Sequence, residues 1–141
     1  MSSGIDVNSK VLEAYNALQL QHNYKYVIFK LSDDLKQIEV ETTKKNYDGF
    51  AWKDFTDQLP PCDVRYAVVD FHFNKKSDGA KQEKVIFVHW APDNAPIKRK
   101  MLIASSKDAL KRKLEGLSLE VQANDMSDLL EEEIIAKLDR T

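Results

Sequence analysis

Two runs of the sequence constrain the fold most: "VRYAVVDFHF" (64–73) and "KVIFVHW" (84–90). Both are dominated by β-branched and aromatic residues, which suit a pleated, half-buried surface. The stretch between them, "NKKSDGAKQE", is polar and holds Asp78-Gly79, a pair that favours the backbone of a tight hairpin turn. Two long strands joined by a hairpin are therefore expected.

The other segments follow from their own periodicities. "NSKVLEAYNALQL" (8–20) places Val11, Tyr15 and Leu18 on one helical stripe, with Asn8 or Ser9 as the cap. "YKYVIFKL" (24–31) and "QIEVETT" (37–43) read as strands, the second alternating with Ile38 and Val40 on one face. "WKDFTDQL" (52–59) carries Trp52, Phe55 and Leu59 at helical spacing and is stopped by Pro60-Pro61. A long helix starts after Pro96 and ends near Gly116, which predicts a C-cap there. "LEVQA" (119–123) is a short fifth strand, and Ser127 is the expected cap of an acidic last helix, 128–138. The order α-β-β-α-β-β-α-β-α predicts an α/β protein, a mixed five-stranded sheet with helices on both faces.

At 141 residues the chain is expected to be one domain, 1–141, with residues 1–6 a mobile segment. No apolar run approaches the roughly 20 residues that span a bilayer. "MSSGIDVNSK" lacks the regions of a signal peptide. The single cysteine, Cys62, excludes an internal disulfide and fits a reducing compartment. A net charge of −2 argues against a dedicated nucleic-acid binder. No catalytic constellation can be assembled. His22, His72 and His89 are scattered, Cys62 has no metal-type spacing, and four glycines form no phosphate loop. No enzyme activity, cofactor or metal is expected.

Charge is strongly localised. "IKRKMLIASSKDALKRKL" (97–114) holds seven Lys or Arg and one Asp, so it is +6 in a chain of −2, and the other residues sum to −8. On a helix, residues at i, i+7 and i+11 share a row. Ile103, Leu110 and Leu114 make an apolar row expected to face the sheet; Lys100, Lys107 and Lys111 make a lysine row; Met101, Asp108 and Arg112 make a third. Two readings stand. A solvated amphipathic helix is the ordinary fate of a charge run. A binding ridge for an acidic partner explains why only Asp108 offers an opposite charge, and why a methionine, an adaptable contact residue, lies on the polar face.

"YKYVIFKLSDD", "FTDQLPPCDVRYAVVDFHF", "KVIFVHWAPDNAPIKRKMLIASSKDALKRKLEG" and "VQANDMSDL", with "SGI" at the start, resemble the ADF/cofilin family over essentially the whole chain. The resemblance implies the actin-depolymerising-factor homology fold, a central five-stranded mixed sheet with two helices on each face. It implies binding to monomeric and filamentous actin, preferably ADP-actin, with severing and depolymerisation and without a cofactor. Position by position, it implies that Ser3, Gly4, Ile5, Lys98, Lys100, Met101, Lys107, Asp108, Lys111 and Arg112 contact actin in both forms. It implies a filament-only surface at Lys81, Lys84, Lys137 and Arg140. Ser3 is the implied regulatory phosphorylation site, with Ser2 the alternative. Phosphoinositide headgroups are expected at the basic helix, and a monomer in the cytoplasm, with nuclear entry open. Gln82 and Glu83 make the filament-side patch less positive than is usual in the family. A coactosin-like or glia-maturation-factor-like regulator of filaments or branches is the alternative within the fold, and a phosphoinositide-binding module the alternative outside actin.

Overall fold

The computed structural model describes residues 4–140. Its elements in chain order are β1 (Asp6–Val7), α1 (Ser9–Gln19), β2 (Tyr24–Leu31), β3 (Gln37–Lys45), α2 (Trp52–Thr56), β4 (Arg65–Asn74), β5 (Lys81–Trp90), α3 (Ile97–Lys111), β6 (Leu119–Ala123) and α4 (Glu131–Asp139). A short 3₁₀ turn, Met126–Leu129, precedes α4. The sheet runs β1-β3-β2-β4-β5-β6. Its outer pairs, β1 with β3 and β5 with β6, are parallel, and the inner pairs are antiparallel. The β4–β5 hairpin pairs without interruption from Arg65↔Trp90 to Asn74↔Lys81, and Gly79 takes φ +72° in its turn.

Strand alternation sorts the side chains into two cores. On one face Val27, Phe29, Val68 and Phe87 pack under α1 (Val11, Tyr15, Leu18) and α3 (Ile103, Leu110). On the other, Tyr26, Ile28, Val69, Phe71, Ile86 and Val88 pack under α2 (Trp52, Phe55) and α4 (Ile134, Leu138). Two helices on each face is therefore the observed arrangement. Polar tips pin the layers together. Trp52 Nε1 donates to the Leu129 carbonyl at 2.7 Å, Trp90 Nε1 to the Pro60 carbonyl at 2.7 Å, and the Tyr15 and Tyr66 hydroxyls to the Glu115 and Ile103 carbonyls. Burial pushes the Tyr15 phenol up to about 12, with the Glu115 charge adding to it.

Several expectations are corrected. The sheet has six strands, because Asp6–Val7 adds a parallel edge beside β3, with the Asp6 N–H on the Lys36 carbonyl at 2.9 Å. A two-residue strand carries no legible alternation. The order of the fold accordingly begins ahead of residue 6, and Ile5 is buried at 7 % exposure in the same core as α3. That takes its side chain off the implied contact surface. Ser127 does not cap α4. Asp125 accepts from the Ser127 N–H at 2.8 Å and caps the 3₁₀ turn, while Leu130 precedes α4 with no side-chain cap. Asp wins because a single carboxylate accepts from both the backbone and the hydroxyl of Ser127. Finally, α3 ends at Lys111, and Gly116 lies further on, at φ +87°, where a Cβ would come within 2.7 Å of Gln19. It serves the chain reversal toward β6 rather than the helix cap.

Candidate functional site

Helix α3 presents the most distinctive surface. Ile103, Ser106 and Leu110 are buried on one side, and the opposite side carries Lys98, Met101 and Asp108, with Arg112 at the C-cap, all exposed. Met101 is 66 % exposed and Ile97, one turn before it, 72 %. An i, i+4 pair of exposed apolar side chains within a charged helix forms a small apolar patch, with Lys98 beside it. Ile97 is absent from the sequence-derived set. Its spacing from Met101 was the available signal, but its place at the helix start left its direction open.

The first turn of α3 is tied down from outside. Arg99 Nε donates to Asp63 Oδ1 at 2.7 Å, and Arg65 Nη1 donates to Asp63 Oδ2 at 2.9 Å. Arg65 in turn makes a two-pronged pair with Glu41 at 2.9 and 3.0 Å. Burial favours the protonated Asp63, but hydrogen bonds from Arg65, the Val64 N–H and Arg99 outweigh it and hold the carboxyl below the usual range. Lys100 Nζ reaches the Asp93 carbonyl at 3.2 Å. Lys98 and Arg112 have no ion pair among the described residues.

Lys107 and Lys111 are placed differently from the rest of the ridge. Both turn onto Glu120 of β6, Lys107 Nζ at 2.9 Å from Oε2 and Lys111 Nζ on Oε1. They are half-buried rather than displayed. The lysine row predicted from helical spacing is therefore split, Lys100 on the loop before α3 and Lys107 with Lys111 on β6.

Of the N-terminal contacts, Ser3 and its alternative Ser2 lie outside the described residues. Gly4 is exposed, at φ +83°. Lys137 on α4 and Arg140 at its C-cap are exposed, and the Lys76 N–H meets Asp139 Oδ2 at 3.4 Å, which brings the end of α4 beside the β4–β5 turn. Lys84 shares the strand face of Ile86, the face covered by α4, whereas Lys81 shares the face of Glu83 and Val85. The four residues implied as one surface thus divide, with Lys81 leaving β5 on the opposite side.

The histidines have structural surroundings. Asp70, 1 % exposed, lies between His22 Nδ1 at 3.2 Å and His72 Nε2 at 3.1 Å. Among the described residues no group of three or more His, Cys, Asp or Glu is arranged to hold a metal. Among the described residues no helix is long and apolar enough to cross a membrane.

Residues 4–139 match the family of cofilin/tropomyosin-type actin-binding proteins. The chain belongs to that family. It is 39 % identical over 141 residues to cofilin of Mycosarcoma maydis, covering 100 % of this chain and 99 % of that protein. It is 39 % identical over 132 residues to actophorin of Acanthamoeba castellanii, covering 94 % and 93 %. Among solved structures it is similar to cofilin of Streptomyces griseoflavus, with TM-score 0.86, 36 % identity, and coverage of 97 % of this chain and 98 % of that one. The family acts by binding actin and is not enzymatic. Cofilin-family membership gives the chain an actin-binding role of ADF/cofilin type, for which severing and depolymerising filaments are the standard activities.

Proposed function

We propose that the protein binds monomeric and filamentous actin, ADP-actin by preference, through the outward face of α3. The observation that carries this is the exposed Ile97–Met101 patch with Lys98 beside it and Arg112 at the far end of the same side, on a helix whose other side is buried. An apolar patch with cations on the same side fits an acidic partner surface that has its own apolar cleft. Lys100, Asp108 and the two lysines held by Glu120 extend the same face, and Gly4 leads toward it. Filament severing and depolymerisation draw on a second surface, which we assign to Lys84, Lys137 and Arg140; Lys81, implied with them by the family resemblance, leaves β5 on the other strand face. Cofilin and actophorin being the names of its relatives supports the severing and depolymerising activity. The protein acts as a monomer at the cytoplasmic actin cytoskeleton, with nuclear entry open to it.

Two further properties belong to the same reading. Phosphorylation of Ser3, or of Ser2 in its place, would add roughly −1.5 to −2 charges beside Gly4 and repel the acidic partner. Phosphoinositide headgroups would compete with actin for the free cations of α3. The main test is reversal of Lys98 and Lys100 to Glu in the full chain. Pelleting with filaments and slowing of monomer nucleotide exchange should both be lost at unchanged melting temperature. Retention of both by the folded variant would refute the assignment.

A further inference from the structure

We propose that Glu120 is an internal counter-anion that withholds Lys107 and Lys111 from the acidic partner of α3, and so limits how much of the helix's charge that partner meets. The inference rests on the actin-binding reading above. Lys107 and Lys111 are i, i+4 neighbours, so their side chains descend the same side of α3. Beneath them runs β6, the edge strand, whose Val121 and Ala123 face the α2–α4 core. Strand alternation therefore turns Glu120 toward α3. One carboxylate takes both ammonium groups, one on each oxygen. Side-chain exposures of 21 % for Lys107, 33 % for Lys111 and 27 % for Glu120 place the cluster half out of water. Burial favours the neutral Glu120 acid, but the two lysine hydrogen bonds outweigh it and hold the carboxyl below its ordinary range. Glu120 is therefore ionised at neutral pH, and the two lysines present one net positive charge where the sequence offers two.

The contact is not needed to seat the helix. Ile103 and Leu110 are buried, the Tyr66 hydroxyl donates to the Ile103 carbonyl, and Arg99 is bonded to Asp63 at the other end. A partner carboxylate that reaches Lys107 or Lys111 must share it with an anion already in place. With Glu120 uncharged, the long lysine stems are free to carry their ammonium groups outward along the ridge. Removing an acid from the body of the protein is thus expected to strengthen binding to an acidic partner.

The test is Glu120→Gln, which preserves size and polarity, in the full chain. Affinity for ADP-actin monomer is measured for wild type, E120Q and the triple variant K107M/K111M/E120Q, at low and at near-physiological salt. E120Q should bind about two- to fivefold more tightly at low salt, the range set by a partly exposed ion pair. The gain should shrink as salt rises and vanish in the triple variant. Should E120Q melt lower than wild type, Glu120→Asp takes its place, with a smaller gain of the same sign. Affinity equal to or weaker than wild type in the folded variant overturns the proposal. Failure of wild type itself to bind actin would remove the parent reading, and this one with it.

Discussion

His89 shows how a single residue can be a stability liability under a functional helix. It sits on β5 at 2 % exposure, its ring 5.9 Å from that of Tyr66, and neither ring nitrogen meets a hydrogen-bond partner among the described residues. Burial pushes the imidazole down to about 4; Lys107 adds to the shift and Glu120 opposes it. The folded state therefore keeps His89 neutral, whereas the unfolded chain protonates it near the ordinary value of about 6.5. The unfolded state binds the extra proton in that interval. Stability is full above pH 6.5, declines as pH falls toward 4, and is affected no further below it. The loss from this group is at most about 3 kcal/mol. His89→Phe should remove that share of the decline, and denaturant midpoints for both proteins at pH 7 and pH 4.5 would show it. An equal decline in the variant would assign the acid sensitivity elsewhere.

At the scale of the element, α3 has a composition that does not by itself make a stable, oriented helix. It has no side-chain N-cap and no acid in its first turn, so its surroundings hold it. Apolar burial fixes its inner face, and Asp63 before β4 fixes Arg99 in the first turn. Asp63 is a positioning residue for the ridge, since the side chains on either side of Arg99 are Lys98 and Lys100. Asp63→Ala should cost about 1 kcal/mol of stability, because the pairs are partly exposed, and should weaken actin binding through a loosened first turn. Thermal unfolding with filament co-sedimentation would separate the two effects. Undiminished binding would mean that Arg99 and its neighbours orient without the anchor.

At the scale of the molecule, the sheet separates two surfaces. The α3 ridge lies on one face, and α4, whose end lies beside the β4–β5 turn, on the other. Lys84, Lys137 and Arg140 share the second side, so Lys84→Ala combined with Lys137→Ala should lower filament affinity and severing while leaving monomer affinity within about twofold, as expected for separated sites. Lys81→Ala should not reproduce that effect, because its side chain leaves β5 on the other face. Co-sedimentation, single-filament severing and monomer titration would decide it. A matching loss in monomer affinity would join the two surfaces into one.

The sequence by itself determined the elements that repeat their signal over several residues. The hairpin of β4 and β5, the stripe of α1 and the apolar row Ile103–Leu110 needed only local periodicity, because burial on one face imposes it along the chain. The four motif-bearing segments likewise made the family legible over nearly the whole length. Tertiary structure alone decided what rests on one or two residues and on distant partners. β1 is too short to alternate, and Asp125 outcompeted Ser127 through hydrogen bonds visible only in the folded turn. Ile5 entered the core because β1 docks beside β3. Above all, helical spacing could place Lys100, Lys107 and Lys111 in one row, but not say which of them finds an anion. Glu120 is nine residues beyond Lys111 and on another element, and only the packing of β6 under α3 brings its carboxylate within reach of two lysines.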